Sequence, residues 1–102
     1  KHQFEEEDLQ CFYAFAFQVL GNLCDNNITN QINLRNRGGI KAIICYMKIF
    51  PLSSTVQIEA VKALHKATSL DKKAAEEVAS IKGIGNILEK AMLFLSVVKD
   101  VK

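Results

Sequence analysis

Apolar residues recur along this chain at intervals of three and four, and β-branched residues rarely alternate with polar ones. That spacing predicts helices and no sheet. A long helix is predicted at about residues 6–24, opened by "EEED", whose carboxylates suit the positive end of a helix. A short helix follows at about residues 28–37. Gly38 and Gly39 end it, since each glycine in a helix interior costs about 1 kcal/mol relative to alanine. The next helix runs to about residue 50, where Pro51, the single proline, and "LSST" make a turn. Ser53 or Ser54 supplies the cap of a second long helix that reaches about residue 70. Asp71 begins another short helix, Gly83 breaks it, and a last helix occupies about residues 84–98. The order is long, short, medium, then long, short, medium again.

Shifting the sequence against itself by 44 places aligns Gly39 with Gly83, Ile40 with Ile84, and Ile43 with Ile87. The same shift pairs Phe50 with Phe94, Ala16 with Ala60, and Leu20 with Leu64. Conservative pairs such as Leu34 with Val78 and Ile44 with Leu88 fill the gaps. The matches fall on apolar or glycine positions, which is where stacked helices constrain a sequence. The glycines let a short helix turn sharply into the next, because a residue without a β-carbon gives φ freedom and close approach. Leu20 and Leu64 are expected to be the fully buried anchors of the two long helices.

This arrangement resembles the armadillo repeat, a three-helix unit of about 40 residues whose third helix carries an Ala-x-x-x-Leu-x-Asn-Leu pattern. "AFQVLGNL" supplies Ala16, Leu20, Asn22 and Leu23. The second copy, "AVKALHKA", keeps Ala60 and Leu64 but holds Lys66 and Ala67 in place of the asparagine and leucine. "NQINLRNRGGI" looks like the family's first helix, with Asn30 ten residues before Ile40. HEAT repeats, the close rival, usually use two helices per unit and lack this glycine break. The resemblance implies an all-α, right-handed solenoid of about six helices. Residues 1–25 would be the third helix of one repeat, 26–70 a full repeat, and 71–102 the first two helices of the next.

Third helices line the concave binding face of such solenoids. The family's groove asparagine maps onto Asn22 and onto Lys66. One turn earlier, where nuclear-import adaptors often carry tryptophan, stand Gln18 and Lys62. The chain has no tryptophan at all, so an asparagine–tryptophan ladder for basic peptides is absent. Lys62 and Lys66 lie four apart on one face, a spacing at which like charges mildly oppose the helix. They read either as a solvated pair or as a basic groove for an acidic partner, as in catenin-like members. The resemblance therefore implies a non-catalytic protein–protein interaction module, a scaffold or adaptor, with Gln18, Asn22, Lys62 and Lys66 as partner contacts. The alternative is an architectural spacer that packs against neighbouring chains.

Composition changes this picture little. The 102 residues suit one domain, 49% hydrophobic, and a net charge of +2 is too small to argue for nucleic acid or a membrane surface. No apolar run approaches the roughly 20 residues of a membrane span. Without an initiator methionine or a signal pattern, the segment reads as cut from a longer chain. Cys11, Cys24 and Cys45 form no C-x-x-C pair, and on apolar stretches they read as buried free thiols of a cytoplasmic or nuclear protein. The sequon "NIT" is then silent. His2 and His65 are scattered, so no metal site is expected, and "KGIG" lacks the lysine and hydroxyl of a phosphate loop. No cofactor is implied. The aromatic run "CFYAFAF" predicts a helix buried between neighbouring units, and in an isolated segment self-association through an exposed end.

Overall fold

Three side chains fix where helices begin. Asn27 Oδ1 accepts from the Asn30 N–H at 3.0 Å, Ser53 Oγ from Val56 N–H at 3.2 Å, and Asp71 Oδ1 from Lys73 N–H at 3.2 Å. The computed structural model describes residues 2–101, with side chains over 6–97. It contains six helices: α1 His2–Cys24, α2 Ile28–Asn36, α3 Gly39–Ile49, α4 Ser54–Ala67, α5 Lys72–Ser80 and α6 Ile84–Val101. No strand occurs among the described residues. The fold is all-helical and repeat-like; α1 to α3 follow the expected long, short, medium order, but α4 with 14 residues is shorter than α6 with 18, so the second triplet departs from it.

Two glycines with positive φ punctuate it, Gly38 at +80° and Gly83 at +79°. Each stands immediately before a helix start, in the left-handed conformation that only glycine adopts without cost. By role, then, Gly83 corresponds to Gly38 rather than to Gly39. Gly39 answers a different need: a β-carbon there would overlap the Leu34 side chain, so α2 and α3 approach closely only because it is absent.

The core gathers on α3 and α4. Ile40, Ile43, Ile44 and Met47 are buried on one face of α3, and α4 packs against α1, α3 and α6. Its inward face is small, with Ala60, Ala63 and Ala67, and faces Gly21 of α1. A β-carbon on Gly21 would lie 3.2 Å from Ala63 Cα, so these two helices touch almost backbone to backbone. Tyr13 stacks on Tyr46 with centroids 4.0 Å apart, and its hydroxyl donates to that of Tyr46 at 3.1 Å.

Polar ties lock the helix ends. Gln31 is fully buried; its Nε2 donates to Cys24 O and Ser69 Oγ, and its Oε1 accepts from Leu70 N–H and Asp71 N–H, each of the latter at 3.0 Å. Gln57 Nε2 donates to Met47 O and Phe50 O, closing the turn around Pro51. Arg35 Nε meets Asp71 Oδ2 at 2.7 Å. No buried side-chain nitrogen or oxygen among the described residues lacks a partner.

Three burial expectations need correction. Leu64 is buried, but Leu20 is only half-buried, because it sits on the flank of α1 that opens towards α2 beside Leu23 and Leu34. Of the cysteines only Cys24 is buried: Cys11 shares the polar side of α1 with Gln18 and Asn22, and Cys45 shares a shallow surface recess with Lys41 and Lys48. The aromatic run divides. Tyr13 and Phe17 pack inward, whereas Phe12 and Phe15 remain 62% and 64% exposed.

Candidate functional site

Because α1 and α4 meet through glycine and alanine, their longer neighbours stand up as walls on either side of the contact. Phe17, Gly21 and Ala63 form the floor. Gln18 and Asn22 rise from α1, one turn apart, and Glu59, Lys62 and Lys66 rise from α4 over two turns. Contacts climb together along both helices, Gly21 against Ala63 and then Asn22 against Lys66, so the two run in the same direction. The groove between them is open at its top and encloses about 100 Å³.

Gln18, Asn22, Lys62 and Lys66, the residues singled out from the sequence, all line this one groove. Lys66 Nζ donates to Asn22 Oδ1 at 3.0 Å, joining the two walls across 44 positions of sequence. A lysine ammonium carries three donors, so this bond leaves donor capacity for a ligand. The Asn22 amide nitrogen, with its oxygen so engaged, is oriented by the same contact.

Glu59 was not singled out, and it changes the electrostatics. It stands three residues before Lys62 on the same wall, a spacing that offsets the repulsion between the lysines. The groove is therefore polar along its length: acidic at the Glu59 end, basic from Lys62 to Lys66. Its signal in the sequence was the (i, i+3) pairing with Lys62. The floor had a signal as well, since a glycine inside an unbroken helix, as at Gly21, marks a close approach.

The remaining candidates separate. Glu6, Glu7 and Asp8 are exposed on the first turns of α1, His65 is exposed on α4, and the side chain of His2 lies outside the described residues. Among the described residues, no three His, Cys, Asp or Glu side chains come together as a metal-binding group would require. "KGIG" contains the left-handed Gly83, which follows the end of α5 at Ser80 and stands immediately before the start of α6. Burial pushes the Cys24 thiol up from its ordinary value, which keeps it protonated and unreactive. The hydrogen bond to Tyr13 holds the Tyr46 phenol above its ordinary value too. Among the described residues no helix is long and apolar enough to cross a membrane. Comparison with family models, with curated proteins and with solved structures finds no match.

Proposed function

We propose that this chain is a non-catalytic protein-recognition module, built of armadillo-like repeats stacked as a right-handed solenoid, and that the groove between α1 and α4 takes an acidic segment of a partner protein. The observation that carries the reading is the convergence of Gln18, Asn22, Lys62 and Lys66 on one groove from helices 44 positions apart. Amide side chains offer both donors and acceptors to an extended peptide backbone, and the lysines offer charge to its side chains. The spacing suits that ligand: Lys62 and Lys66 are separated by a rise of about 6 Å along α4, and alternate residues of an extended strand by about 6.7 Å. Glu59 gives the groove a direction, since acidic residues of the ligand favour the lysine end and avoid the other. The exposed thiols of Cys11 and Cys45 suit a reducing compartment, the cytoplasm or nucleus.

The test is charge reversal. Replacing Lys62 and Lys66 together by glutamate should leave helix content and melting nearly unchanged, because exposed lysines contribute little to folding. Capture of the natural partner from cell extract should fall by at least tenfold, and the difference should shrink as salt is raised. Equal capture of the same partners by both forms would refute the basic groove. An architectural spacer, the second reading, draws support from the uncovered apolar face of α1; it would tolerate this swap and fail when that face is altered.

A further inference from the structure

Away from the groove, α1 carries a second surface. Leu9, Phe12, Phe15, Val19 and Leu23 are all exposed and fall within one arc of the helix, so they form a continuous apolar stripe three to four turns long. Beside its C-terminal half, α1 and α2 enclose an apolar groove of about 250 Å³, where Leu20, Leu23 and Leu34 face Arg37. We propose that this face seats a second copy of the chain, with the two α1 helices antiparallel about a two-fold axis near Ala16.

Three features select a copy of the same chain. The first is area. The five side chains expose on the order of 500 Å², as large as the biggest apolar patches that monomers show. A two-fold pair therefore buries about 1,000 Å², which reaches the lower bound of a specific interface. The second is shape. With the axis at Ala16, Phe12 of one copy falls opposite Leu20 of the other, at the mouth of the α1–α2 groove, and the reverse contact follows by symmetry. Each copy thus offers an exposed ring and a recess to receive it. The third is charge. The stripe is acidic at its start, with Glu6, Glu7 and Asp8 exposed; beside its end the exposed Arg37 stands at the α1–α2 groove, while the exposed Asp25 lies just past the helix, outside that groove's lining. The antiparallel arrangement sets Asp8 opposite Cys24 of the copy, next to Arg37, so unlike charges meet twice. A parallel arrangement would put like ends together.

Sedimentation equilibrium of the 102-residue chain over a wide concentration range tests this. The expected result is a reversible monomer–dimer equilibrium. The double variant F12S/F15S should be monomeric with near wild-type helix content, since both rings are already mostly exposed. D8R and R37D should each weaken the dimer by about tenfold, because each alters two symmetry-related pairs, and the two combined should restore it. K62E/K66E should dimerise like the wild type, which keeps this surface distinct from the groove. A wild-type chain that stays monomeric throughout overturns the proposal and leaves the face to a different occupant, such as a helix pair of a longer chain. A dimer that survives F12S/F15S overturns the face. Failure of D8R/R37D to restore association overturns the antiparallel arrangement.

Discussion

Lys66 Nζ lies 3.0 Å from Asn22 Oδ1, and the two residues stand 44 positions apart, the shift at which the sequence aligns with itself. The contact shows why one period governs both sequence and groove: helices that run side by side in the same direction bring equivalent positions together. It also limits what the bond means energetically. An exposed lysine–amide contact is worth about 1 kcal/mol or less, so it orients the groove without holding the fold together.

The fold rests on the α4 core instead. Leu64→Ala should cost about 2–5 kcal/mol, a large share of the roughly 5–15 kcal/mol available to a domain. Leu20→Ala should cost clearly less, because Leu20 is half-buried and its removal widens a groove already open to water. Lys73→Ala, exposed on α5, should cost almost nothing. Urea-unfolding midpoints for the three variants check the order; equal effects would contradict the placement of α4.

Gln31 should prove as costly to remove as a core leucine. Gln31→Ala leaves the Leu70 and Asp71 N–H groups and Cys24 O without their partner, and each buried orphan costs about 1–3 kcal/mol. Gln31→Glu should also destabilise, since a carboxylate cannot donate to Cys24 O. Hydrogen exchange at Leu70 and Asp71 would report the loss locally, rising in both variants well before global unfolding.

Thiol chemistry separates the cysteines. Iodoacetamide at pH 8 should modify Cys11 and Cys45 quickly and Cys24 only when the chain unfolds, a pattern that peptide mass analysis reads directly. The pKa of Cys24 is raised in the folded state, so its contribution to stability is intact at neutral pH and declines as pH climbs above the ordinary thiol range. Tyr46, raised by its hydrogen bond to Tyr13, acts in the same sense at higher pH.

The starts of α3 to α6 were legible because their causes are local: Ser53 and Asp71 cap within three residues, and Gly38 and Gly83 answer a backbone requirement, whereas α1 begins at His2, ahead of the acidic run read as its opening. The end of α4 was not. Periodicity carries that helix to about residue 70, yet it stops at Ala67 because Gln31, nearly 40 residues away, takes the N–H groups of Leu70 and Asp71. The roles of Gln31 and Gln57 had no local signal, since nothing in the sequence around a glutamine shows that it will tie two helix ends together. At the groove, Gln18, Asn22, Lys62 and Lys66 came from the armadillo resemblance, whose groove positions map onto them, and the 44-residue shift only paired the two helices. Glu59 was missed, although its spacing from Lys62 was visible, because its place on the groove depends on how closely Gly21 lets the helices approach. The exposure of Phe12 and Phe15 was equally hidden, as an apolar stripe in sequence does not say which side is covered.

The proposed recognition of acidic segments by the α1–α4 groove can be read residue by residue in nitrogen-15 NMR of the chain titrated with an extended peptide bearing glutamates at alternate positions. The expected result is a shift of the Gln18 and Asn22 side-chain amides and of the α4 backbone between Glu59 and Lys66. These shifts should weaken as salt rises, vanish with a glutamine version of the peptide, and be absent from K62E/K66E. Asn22→Ala should retain them with about threefold weaker binding, having lost only the group that orients Lys66. No shifts at these residues, or salt-independent shifts confined to the apolar face of α1, would contradict it.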